Sequence, residues 1–184
     1  MAVPRKSAFP VERLRRFLEP GPVVLISSAW KDQRAIMACG WHMMLDYDLV
    51  GTYIWQANHS HGLARRSREC VINLPTEALL DTVVRIGNCS SAEADKFERF
   101  GLTAVPAQEV GAPMIGECHA SFECRLHGTR ITADYPLFVW RVVRAHVATS
   151  PREPRTVHYR GEGRFMIAGR EVSRRRLFRP DMLE

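Results

Sequence analysis

Long apolar runs are missing from this 184-residue chain. Charges or prolines interrupt every one, which excludes a membrane-spanning helix of about 20 residues. Residues 1–21, MAVPRKSAFPVERLRRFLEPG, lack the apolar centre of a secretory signal, so a cytoplasmic location is expected. No C-x-x-C occurs, and the five cysteines (Cys39, Cys70, Cys89, Cys118, Cys124) are odd in number and irregular in spacing. That argues against a disulfide framework and a structural zinc site, leaving reduced, mostly buried thiols. The G-x-x-x-x-G-K-[ST] loop is absent, and GEGRFMIAG at 161–169 lacks the third glycine of a dinucleotide fingerprint. Neither G-x-S-x-G nor a Ser-His-Asp signature is present, so no catalytic side chain is assigned. His59 and His61 stand two apart with no H-E-x-x-H and no carboxylate partner, and no metal is expected. If 118–124 is a strand, Cys118 and Cys124 share one face and His119 takes the other.

Lysine is scarce too. Lys6, Lys31 and Lys96 are the only ones among 26 basic residues; the other 23 are arginine, and 20 acidic residues leave a net charge of +6. The arginines are spread out, apart from SRRRLFRP at 173–180 in a basic tail over 173–184. No helix-turn-helix, zinc finger or RNP-type motif accompanies them, so no specific nucleic acid is expected. With 46% hydrophobic and 25% charged residues, 1–184 reads as one globular domain.

Periodicity supplies the elements. PVERLRRFLE at 10–19 has helical spacing and ends at Pro20-Gly21. Strands are expected at 22–30, at 35–45 with Gly40 marking a bulge or a close backbone approach, at 49–55 and at 70–74, with a turn at 31–34. A helix is expected over 76–87 behind Thr76. A second is expected over 90–101, capped by Ser90 or Ser91 and closed by Gly101. Residues 118–132 alternate like a hairpin, 137–149 form a long strand and 164–172 a short one. Clustered strands without regular βαβ alternation predict a mainly β, antiparallel barrel with short helices.

One polar stretch stands out: NHSHGLARRSREC, Asn58 to Cys70, between two extended apolar segments. Asn58, His59 and Ser60 precede two helical turns, and Arg65, Arg66 and Arg68 follow. Helix starts offer free N–H groups and partial positive charge, so this is either a phosphate site or a capped surface helix.

Three blocks carry a family resemblance: MACGWHMMLDYD with the stretch that follows to Thr76, IGNCSSAEADKFERFGLT (86–103), and APMIGECHASFECRL (112–126) with LFVWRVVRAHV (137–147). Together they resemble the flavin reductase-like proteins with an FMN-binding split barrel, especially the flavoredoxin-like branch. The resemblance implies a split β-barrel homodimer holding FMN and taking a hydride from NADH or NADPH. Electrons would pass to free flavin, ferric iron or a partner oxygenase; the alternative is a non-enzymatic electron carrier. It also implies the site. Met37, Ala38, Cys39, Gly40 and Trp41 line the ring; Asn58, His59, Ser60 and Arg65 hold the phosphate; Asn88, Cys89, Ser90 and Lys96 close from the other side. Cys39 and Gly40 stand where many relatives have hydroxyl side chains. Cys39 and Trp41 each read more readily as packing groups; with a flavin implied, Lys96 or an arginine could stabilise its reduced, anionic form, and His158 could reach the cofactor or the nicotinamide or stay on a surface loop.

Overall fold

The computed structural model describes residues 21–128, 135–177 and 179. The helix expected at 10–19 lies outside them. Eleven strands and three α-helices occur among the described residues. The main sheet uses β1 (Val24–Trp30), β2 (Gln33–Cys39), β3 (His42–Asp46), β4 (Leu49–Tyr53), β5 (Glu69–Leu74), β8 (Ala120–Gly128) and β9 (Leu137–Val147). Its order is β2-β1-β5-β8-β9-β4-β3, and every pairing is antiparallel. Two short ribbons accompany it: β6 (Ala104–Val105) with β7 (Met114–Ile115), and β10 (Val157–Tyr159) with β11 (Phe165–Ile167).

The order forces the sheet to curl. Laid flat, six inter-strand gaps of about 4.8 Å would separate β2 from β3 by roughly 29 Å. Yet Gly40 and Trp41 alone join Cys39, the end of β2, to His42, the start of β3. Three Cα steps reach at most about 11 Å. The two edges therefore meet, and the barrel closes at Gly40–Trp41 without a β2–β3 ladder. Tyr53 N–H donates to the Trp41 carbonyl (2.9 Å), tying the connection to β4. The expected single strand over 35–45 is thus two strands, β2 and β3, and Gly40 lies in the break between them.

β1 is buried on both faces, as PVVLIS requires. Val24 and Ile26 face an inner cluster with Cys39, Cys70, Ile72, Cys124 and Trp140. Val23, Leu25 and, from β2, Ile36 face an outer cluster with Val83, Ile86, Phe97 and Val157. The outer cluster seats α2 (Leu80–Gly87), α3 (Lys96–Phe100) and the β10–β11 hairpin beside the split. α1 (His59–Ser67) buries Leu63 and Ala64.

Several expectations need correction. The helix expected over 90–101 is only α3, and Asp95 caps it, accepting from Phe97 N–H at 2.8 Å. Ser91 is spent on Ile36, accepting from its amide and donating to its carbonyl (3.2 and 3.3 Å). Gly101 does end the helix in the left-handed region, φ 62°. The helix behind Thr76 begins as a 3₁₀ turn, Glu77–Leu79, with no side-chain cap bond. The hairpin expected over 118–132 is one strand, β8, which starts only at Ala120 and pairs with β5 and β9; Cys118 and His119 precede it, and 129–134 lie outside the described residues. Cys118 and Cys124 do not share a face: Cys124 sits in the inner cluster, and Cys118 packs on the outer one. A register shift between Glu123 and Cys124 breaks the alternation. The last strand is β11 alone, with β10 its unexpected partner.

Candidate functional site

Two clefts meet at the split. The larger, about 640 Å³, is walled by the end of β2 (Met37, Ala38, Cys39), the connection Gly40–Trp41, Tyr53, Trp55, α2 (Val83, Val84) and the β10–β11 hairpin (Tyr159, Gly163, Phe165). No charged side chain lines it among the described residues. The smaller, about 400 Å³, is polar: Asn58, His59, Ser60, Asn88, Cys89, Ser90, Ser91, Glu93 and Lys96 surround it. Met37, Ala38, Asn58, Gly87 and Asn88 line both, so the clefts form one continuous groove.

The N-terminus of α1 supplies the polar end. Asn58 is its N-cap with extended backbone (φ −73°, ψ 131°) and makes no side-chain cap bond. The first N–H groups of a helix have no carbonyl one turn earlier to bond, and its dipole is positive there. Ser60 is only 4% exposed, yet no hydrogen bond to its hydroxyl occurs among the described residues. A free hydroxyl lining a cleft beside a helix start is suited to an anionic ligand. His59 lines this cleft, whereas His61 packs edge-on against Phe138 (5.2 Å). Burial, with Arg65 nearby, lowers the His61 pKa and favours its neutral ring.

The opposite wall is the C-terminal end of α2. Lys96 is buried there and donates to the Ile86 carbonyl at 2.8 Å. It satisfies a terminal carbonyl of α2 and brings positive charge under the cleft. Burial holds its pKa below the ordinary lysine value; Cys89 and Glu93 oppose that shift, and Arg99 adds to it. Cys89 Sγ donates to the Arg85 carbonyl (3.4 Å), and Ser90 Oγ accepts from Ala92 N–H (3.2 Å). In the apolar cleft, Cys39 is buried with its Sγ toward the Trp41 and Tyr53 carbonyls, and Trp41 tilts against Tyr53 at 5.2 Å.

Twelve of the thirteen residues expected at the site line one cleft or the other. Arg65 lines neither: it is exposed in the last turn of α1, where its charge meets the negative end of the helix dipole. His158 is also absent from the lining; its Nε2 pairs with Thr156 Oγ1 at 2.9 Å. Sequence reasoning missed Trp55, Val83, Val84, Tyr159 and Phe165. The alternation Val157, Tyr159 around Gly161 and Gly163 to Phe165, Ile167 is a hairpin signal that points to the last two.

An uncharged cleft that shares its wall with a polar cleft at a helix start suits a ring compound with a negatively charged tail. The chain belongs to the flavin reductase like domain family, which it matches over residues 14–166. An uncharacterized protein of Archaeoglobus fulgidus is 32% identical over 135 residues, covering 72% of this chain and 76% of its own. Among solved structures, an FMN-binding domain of a flavin reductase-like enzyme from Shewanella baltica superposes with a TM-score of 0.76 at 25% identity (91% of this chain, 96% of that one). The flavoredoxin of Desulfovibrio vulgaris gives 0.78 at 21% (85% and 91%). Nitrilotriacetate monooxygenase component B from Bacillus cereus gives 0.75 at 17% (94% and 98%). The fold is therefore the FMN-binding split barrel.

Proposed function

We propose that the groove holds FMN and that the protein is a reductase, passing a hydride from NADH or NADPH through FMN to free flavin, ferric iron or a partner oxygenase. The observation that carries this reading is the continuity of the uncharged cleft with the polar cleft at the start of α1. The two chambers match, in order, a tricyclic ring and a phosphate. When bound, FMN supplies the two-electron chemistry, and the protein supplies position and electrostatics. Ser60 and the first amides of α1 hold the phosphate. Asn58 and Asn88 stand at the junction and offer amide groups to the polyol between ring and phosphate. Met37 to Trp41 flank the ring, and Gly40 leaves the backbone bare beside it. Lys96 adds positive charge at the phosphate end.

The protein acts as a cytoplasmic homodimer. β3 supports the dimer: it is an edge strand, and Met43, Met44 and Leu45 on it are 55%, 64% and 43% exposed. Such an edge calls for a cover. The name of the Bacillus cereus neighbour, a monooxygenase component, supports the partner-oxygenase route.

The test is a visible spectrum of the purified protein before and after FMN, followed by anaerobic NADH and then NADPH. Bleaching of bound flavin by either nucleotide is expected. A protein that takes no FMN, or whose bound FMN neither nucleotide bleaches, ends the reductase reading. Bleaching only by a protein redox partner would mark an electron carrier instead.

A further inference from the structure

The inner cluster holds three thiols, and two of them face each other. Cys70 on β5 stands directly opposite Cys124 on β8 in the antiparallel register. Opposed residues share one face of a sheet, and both of these belong to the inner cluster, where neither is exposed. Opposed Cα atoms lie about 4.5 or 5.5 Å apart, and a disulfide spans about 4.4–6.8 Å. The Cys124 thiol also lies within hydrogen-bonding reach of Cys70. No other two cysteines share a rung among the described strands. Cys39, the third thiol, is on β2. The whole of β1 stands between it and β5, and two inter-strand gaps of about 4.8 Å put it beyond bridging range.

The surroundings suit a bridge better than an ionised thiol. Val24, Ile26, Ile72 and Trp140 pack in the same cluster. Burial pushes the Cys70 pKa well up and the neighbouring Cys124 adds to the rise, so Cys70 stays protonated. An uncharged disulfide fits this apolar site where a thiolate does not. Bridging gives up one weak bond, from Cys124 Sγ to the Phe122 carbonyl at 3.3 Å. The cluster borders the uncharged cleft through Cys39, which belongs to both, so a water-sized oxidant has an approach from that side.

We propose that Cys70 and Cys124 form a cross-strand disulfide when hydrogen peroxide oxidises them, and that this bridge clamps one wall of the groove. One sulfur takes an oxygen from the peroxide: an S–O bond forms, the O–O bond breaks and water leaves. The other sulfur displaces that oxygen: the S–S bond forms, the S–O bond breaks and a second water leaves. Two thiols are oxidised, one peroxide is reduced, and both thiol protons end in water. The bridge closes residues 71–123 into a loop that carries α2, α3 and the Asn88–Lys96 wall of the polar cleft. Closing that loop removes freedom from the unfolded chain, so oxidation keeps the groove assembled at temperatures where the reduced protein loses it.

Purified protein is treated with rising hydrogen peroxide, up to the dose that oxidises the half-buried Cys89. Remaining thiols are alkylated in urea, and peptides are mapped without reductant. A Cys70–Cys124 linkage is expected, with Cys39 and Cys118 alkylated, and dithiothreitol is expected to reverse it. The melting temperature is expected to rise by about 4–16 °C on oxidation. Cys70→Ala and Cys124→Ala are each expected to abolish both the linkage and the rise, and Cys89→Ser to keep both. Should the alanine variants fail to fold, the wild-type map and melting temperatures decide alone. Cys70 and Cys124 both alkylated, either one linked to a different cysteine, or a linkage that leaves the melting temperature where it was overturns the proposal.

Discussion

Ser60→Ala separates ligand binding from folding. Ser60 is the second residue of α1, nearly buried, and lines the polar cleft. Alanine is the better helix former, so the substitution leaves stability unchanged or raises it by a few tenths of a kcal/mol, roughly. A hydroxyl donated to a charged phosphate is worth about 1.5–3 kcal/mol. At about 1.4 kcal/mol per factor of ten, the FMN dissociation constant is expected to rise about tenfold to a hundredfold. Titration of flavin fluorescence measures it, and the melting temperature without flavin confirms that the fold is intact. Arg65→Gln is the control. It removes an exposed charge that lines neither cleft, and FMN affinity is expected to stay within about twofold. If Ser60→Ala binds FMN as wild type does, α1 is not the phosphate site. If Arg65→Gln alone weakens binding, the grip comes from the arginines.

Three other residues give sharp outcomes. Glu123 is fully buried, and burial by itself would raise its pKa; N–H groups of Gln108, Glu109 and Val110, together with His146 at 2.6 Å, outweigh that and lower it. Its stabilisation is present above the ordinary carboxylate pKa and lost as pH falls through the lower folded value, so Glu123→Gln is expected to cost about 2–3 kcal/mol at pH 7 and less near pH 3 by urea unfolding. Asn73 donates to the carbonyls of Leu25 and Val71 and to Ser27 Oγ, and accepts from Ile115 N–H and Ser121 Oγ. Asn73→Leu strands these groups and is expected to cost about 3 kcal/mol, a fall of roughly 6–12 °C in melting temperature. Lys96→Met leaves the Ile86 carbonyl without its donor and removes charge under the cleft, so both melting temperature and FMN affinity are expected to fall; a loss of one alone would assign Lys96 a single role.

Legibility followed how local each signal was. β1 and β9 were plain because long β-branched and aromatic runs specify strands without outside help. Ser60 and Asn58 were legible because a helix start is a local feature. The cap of α3 was not: Ser90, Ser91 and Asp95 are all good N-caps, and distant partners decided among them. Ser91 is drawn off to Ile36, and Arg34, bonded to Asp95 at 2.6 Å, holds that carboxylate in place. Gly40 stands out in the sequence, but a bulge, a close backbone approach and a strand break ask the same of a glycine, and only the sheet order tells them apart. The aromatic hairpin was missed because Gly161 and Gly163 were weighed against a nucleotide fingerprint rather than as a turn.

The two-residue join at Gly40–Trp41 has a kinetic side. The first and last ribs of the hoop are neighbours along the chain, so the seam is pinned early and cheaply, while the costly search belongs to the pairings distant in sequence, above all β4 with β9, which joins Leu49 to Arg141. A polypeptide emerging in order therefore has the Gly40–Trp41 side of its ligand pocket in place before the hoop is complete, and the β10–β11 wall only after it.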